Sequence, residues 1–237
     1  MTDAERDRES AGQVGSWRHM IILCAILLGI AAAGYAAMGK AGAAPDGVGP
    51  GGPGAALYLP LLAAEWGLFY YVRIGVHTRG ARLRDLISAR PLRARTLAAD
   101  LLLGLLLFAA WLGLSWLLDR ALGAGNQAAI RPLVIHRASE LPLWTLLALS
   151  AGFVEELTFR GYLQRQFGAL LRSPWLGAAA QAILFGVTHG YQGGVLMLKI
   201  AAFGLMFGIF ALLRRSLVPG MAAHAGVDLM AGLVALR

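Results

Sequence analysis

Seven apolar runs divide this 237-residue chain, at 17–38, 55–76, 97–118, 142–170, 175–188, 195–213 and 218–236. A bilayer's hydrocarbon core takes about 20 apolar residues to cross as a helix. Inside it every backbone N–H and C=O has to bond within its own segment, so a spanning run without barrel-like alternation must be helical. The runs therefore predict an all-α, polytopic helical membrane protein with about seven transmembrane helices. There are eight if the polar connection 119–141, with its apolar patch near 132–135, holds a re-entrant or interfacial helix. Composition agrees: 58% of residues are hydrophobic and only 14% charged, which excludes a soluble domain of this size.

Residues 1–16 are polar and mixed in charge and are expected to be a disordered cytoplasmic N-terminus. Residues 17–140 hold the N-terminal membrane helices. Residues 141–237 hold the segment with the chemistry. The first run is too long for a signal-peptide core and reads as a retained span. The formal charge is +8. Arg73, Arg79, Arg82, Arg84, Arg90, Arg93 and Arg95 fall in one loop whose sole acid is Asp85. No aromatic residues interleave these arginines, so nucleic acid is not expected as a partner; anionic lipid head groups are. Seven spans put the N-terminus, this loop, the Arg172 loop and the Arg214–Arg215 turn on one side, expected to be cytoplasmic by the positive-inside rule, as in a bacterial inner-membrane protein. The Leu-rich third run predicts a lipid-facing helix without chemistry. Cys24, the only cysteine, lies in an apolar run and offers neither a disulfide nor a thiolate metal site.

The fourth run carries Glu155, Glu156 and Arg160. A charge at the centre of a membrane helix costs roughly 2.5–3.5 kcal/mol on insertion scales. Glu156 and Arg160 are four apart, share a helix face and can pair. Glu155 is rotated by about 100° from Glu156 and lacks that partner. One acid is thus expected to be structural, pointing away from any cavity, and the other free for chemistry. Phe185 and His189 are four apart at the end of the fifth run, and His224 and Asp228 are four apart in the seventh. Such groups are tolerated in hydrocarbon where they face one another or a wet cavity. Glu155, His189 and His224 are therefore expected to converge. A count along straight helices resists this: Glu155 and His189 fall roughly 20 Å deep, but His224 about 9 Å and Asp228 about 15 Å. Glu65, in the second run, either lines the interior or reaches water near an interface.

These residue types suit hydrolysis. A glutamate and a histidine can hold and deprotonate one water, and a second histidine can stand at the oxyanion. Alternatively Glu155, His189 and His224 bind zinc, which activates the water. No serine or cysteine is placed to act as nucleophile, and His-Glu-x-x-His is absent.

EELTFR (155–160), FGVTH (185–189) and HAGVD (224–228) resemble, in order, the Glu-Glu-x-x-x-Arg, Phe-x-x-x-His and His-x-x-x-Asn/Asp motifs of the CAAX protease and bacteriocin-processing (CPBP, or Abi) family of intramembrane endopeptidases. The resemblance covers about 141–232. It implies cleavage of a membrane-associated peptide or protein, by CAAX-type or leader and C-terminal processing. Catalysis would fall to Glu155, His189, His224 and Asp228, with Glu156, Arg160 and Phe185 in support. A glutamic mechanism without a metal cofactor is favoured. The resemblance leaves open whether the substrate is prenylated, as it does the oligomeric state. It also admits a non-catalytic relative such as a bacteriocin-immunity factor. A proton-coupled transporter would be expected to show internal repeats and paired broken helices, and the sequence has neither.

Overall fold

The computed structural model describes residues 13–41, 54–91, 93–125 and 130–236. Regular structure in them is helical, apart from one isolated bridge between Ser88 and Ser216. The helices are α1 (Trp17–Ala41), α2 (Gly54–His77), α3 (Leu83–Ile87), α4 (Ala94–Leu122), α5 (Leu141–Glu155), a π-helical segment (Glu156–Leu163), α6 (Gln164–Leu170), α7 (Pro174–Thr188), α8 (Gly194–Arg214) and α9 (Val218–Ala235). Five of these, α1, α2, α4, α8 and α9, are long and apolar enough to cross a membrane. The fourth run forms the α5–π–α6 rod, and the fifth is the 15-residue apolar α7. The chain is an all-α, multi-pass membrane protein.

Local chemistry sets the ends. Ser173 Oγ accepts the Leu176 N–H, and Pro174 follows at the first helical position, where a missing N–H costs nothing. α2 closes in a Schellman motif: Ala81 N–H bonds the Val76 carbonyl, Gly80 N–H bonds that of His77, and Gly80 takes φ +71°. α8 ends on Arg215 in the left-handed region, φ 57°.

α9 lies between α4 and α5, and α7 packs on α6 and α8. Small residues allow the close approaches. A Cβ on Gly152 would stand 2.7 Å from the backbone nitrogen of Ala225, so α5 and α9 touch almost backbone to backbone. The third span has two faces. Leu101, Leu102, Leu105 and Leu106 are exposed, as expected for lipid contact, whereas Asp100, Gly104, Leu107 and Trp111 form a buried stripe at helical spacing. Asp100 corrects the expectation of a featureless helix. It binds Arg214 through Nε (2.7 Å) and Ser216 through Oγ (2.7 Å).

That knot lies at the arginine-rich end. Leu217 N–H donates to the Ile87 carbonyl (2.7 Å), Ala89 N–H to that of Arg215 (3.1 Å), and Arg165 Nη2 to those of Asp85 and Leu86. The basic loop, the start of α6 and the 214–217 turn therefore meet. Gln13–Ser16 depart from the disordered N-terminus of the sequence reading. Val14 is buried, and Gln166 binds the backbone of Val14 and Gly15 three times; residues 1–12 lie outside the described part. In the connection 119–141, two 3-10 turns, Arg131–Leu133 and Ala138–Glu140, stand where an interfacial helix was a candidate.

Candidate active site

The site forms where α5 gives way to the π-helical segment. A π turn closes i→i+5 rings and takes one more residue per turn than the α ladder, a change found frequently at functional sites. It falls at Glu156, so Glu155 ends the α-helix and Glu156 begins the wider coil. All eight residues of the π segment are buried.

Glu156 Oε1 lies 3.1 Å from Arg160 Nη1, with both side chains at most 1% exposed. The same oxygen lies 3.0 Å from His224 Nδ1. This corrects the expectation that Glu156 turns away: it faces both Arg160 and the site. One carboxylate oxygen has two lone pairs and can accept from both donors. Arg160 is further held by ring faces. Its guanidinium carbon sits 4.4 Å from the Phe185 centroid, with Phe203 at 5.6 Å and Phe207 at 5.9 Å. A desolvated cation over an aromatic face gains about 2 kcal/mol. This gives Phe185 a physical role as a wall of the arginine cage.

His224 is the hub. Since the Glu156 carboxylate accepts, Nδ1 carries the proton between them. Its Nε2 is 3.7 Å from Glu155 Oε2 and 3.7 Å from Asp228 Oδ2. The structure brings His224 to the glutamates despite the depth count: Ser216 and Leu217, which lead into α9, are themselves buried and held by Asp100 and Ile87. The Gly152 contact brings the two helices the rest of the way. Glu155 keeps 16% of its side chain exposed and Asp228 33%, so the open side of the cluster is theirs.

His189 stands apart from this contact set. Its Nδ1 donates to the Phe185 carbonyl (2.8 Å) and lies 3.3 Å from Thr188 Oγ1, which leaves Nε2 as a free acceptor. Its ring is 4.7 Å from Phe185, and the Phe185 ring is 6.2 Å from His224. Among the described residues His189 makes no hydrogen bond with Glu155 or His224, so it borders the cluster through an aromatic ring. Nor does any set of three His, Cys, Asp or Glu residues among them converge as metal ligands would.

Glu65 turns inward from α2: its Oε2 is buried without a hydrogen-bond partner among the described residues, and Glu155 and Asp228 are its charged neighbours. The next residue, Trp66, anchors α2 to α5 through Nε1–H to Ser150 Oγ (3.2 Å). The signal in the sequence was an acid inside an apolar run; its spatial partner was not readable there.

Residues 137–230 match the family described as Rce1-like, type II CAAX prenyl endopeptidase Rce1-like. No curated protein and no solved structure matches the chain.

Proposed function

Residues 137–230 belong to the Rce1-like, CAAX protease family, and from that premise we propose a glutamic intramembrane endopeptidase that cleaves a membrane-associated peptide or protein. The observation that carries the assignment of residues is the fork at His224. One ring nitrogen meets the buried ion pair of Glu156 and Arg160 at 3.0 Å, and the other faces Glu155 and Asp228.

In this reading Glu155 takes a proton from a water that His189 Nε2 helps to hold. The oxygen of that water bonds to the scissile carbonyl carbon. With both nitrogens protonated, His224 donates Nδ1–H to Glu156 and directs Nε2–H at the tetrahedral oxyanion. Asp228 orients that side of the ring, since an ionised Asp cannot itself donate. Glu155 returns its proton to the leaving nitrogen as the C–N bond breaks. The mechanism proposed uses no metal, and the chelator arm of the test below decides that point. The arginine-rich end is proposed to face the cytoplasm of a bacterial inner membrane.

The test is cleavage of farnesylated and unmodified peptides by the purified protein, with and without a chelator. Glu155→Gln is expected to lower turnover about 10²–10⁴-fold at unchanged thermal stability. Wild-type turnover by that variant would overturn Glu155 as the base, and loss of activity on chelation would overturn the metal-free mechanism. Absence of any cleavage would favour a non-catalytic relative.

A further inference from the structure

A second site lies away from the carboxylates, at the arginine-rich end of α2. Arg73 and His77 are one turn apart and share a helix face. The Schellman closure at Gly80 then doubles the chain back, so that Arg82 and Leu83 meet that face. The result is an open pocket of about 410 Å³ whose lining combines Arg73, His77 and Arg82 with the apolar Ile74, Val76, Ala81 and Leu83. Two guanidinium groups and an imidazole thus line one pocket. Among the described residues no carboxylate pairs with any of the three. The one acid of the loop, Asp85, lies 3.6 Å from Arg84 instead. Ile74 is 59% exposed on a helix long and apolar enough to cross a bilayer, while Val76 is buried.

We propose that this pocket is a binding site for the phosphate of an anionic phospholipid. The planar guanidinium forks of Arg73 and Arg82 match phosphate oxygens in pairs. His77 adds a third donor, and the apolar wall takes the glycerol and upper acyl carbons. A free phosphate ion would use the cations and leave Ile74 and Leu83 without a role, whereas a lipid uses both halves and is already at this depth.

The experiment uses the full chain in neutral detergent, with dioctanoyl phosphatidylglycerol, dioctanoyl phosphatidylcholine or inorganic phosphate as probe. Bound lipid is counted by native mass spectrometry. Wild type is expected to retain phosphatidylglycerol at least fivefold over phosphatidylcholine. The exposed double variant Arg73→Gln/Arg82→Gln is expected to fall to the phosphatidylcholine level. Arg90→Gln/Arg93→Gln removes the same charge from the same loop outside the pocket and is expected to retain the preference. Equal loss in both double variants would show diffuse charge instead of a site. No preference in wild type, or full displacement of the lipid by millimolar inorganic phosphate, would equally overturn the proposal.

Discussion

At the scale of the residue, Glu156 does most to hold the site together. It is one partner of a fully buried ion pair and the acceptor for His224. Its removal takes away the ion-pair partner of Arg160, so Glu156→Ala is expected to cost about 3–5 kcal/mol, read as a lowered melting temperature in detergent. Glu156→Leu combined with Arg160→Met removes both charges and is expected to recover most of that stability without recovering cleavage. Normal stability of Glu156→Ala alone would show that the pair is not structural. The pairing itself was legible, because four-residue spacing fixes a shared face. The second role of Glu156 was not, since a helical wheel says nothing of which neighbouring helix supplies the next donor. His189 illustrates the converse: its motif is plain in the sequence, yet its ring bonds its own helix.

At the scale of the element, the α5–α9 contact decides whether His224 reaches the glutamates. Gly152 faces Ala225, one residue from His224. Gly152→Val would force the helices apart, and a shift of about 1 Å at a reacting centre can cost 10²-fold. The expected outcome is loss of cleavage of that order, checked by steady-state kinetics on folded protein; full activity would show that this spacing has slack. The boundaries of the seven runs were legible to within a few residues, because hydrocarbon length and the terminal Gly, Pro and Arg residues mark them. The π segment was not, since ELTFRGYL has no composition that distinguishes a π coil from an α one. The depth of α9 was misjudged for a related reason. Residue counting assumes straight helices that all begin at one level, whereas the turn before α9 is packed inside the protein, with Ser216 and Leu217 buried.

At the scale of the whole molecule, the arginine-rich loop, the start of α6 and the 214–217 turn meet at one end, and the 130–140 connection, with Arg131 and Arg137, follows the other end of α4. In a Cys24→Ser background, Arg90→Cys is expected to label from the cytoplasmic side of inverted vesicles and Ser139→Cys from the opposite side. Both positions are exposed; labelling of both from one side would break the seven-span parity. The clamp on Gln166 has a consequence of another kind, in time. Its partners Val14 and Gly15 are 152 and 151 residues earlier in the chain. A ribosome adding about 5–20 residues per second needs roughly eight to thirty seconds to cover that stretch. The N-terminal strap therefore emerges first and docks late. Until the fourth span has entered the bilayer, its buried valine must wait at the membrane surface, where a chaperone or an insertase has time to meet it.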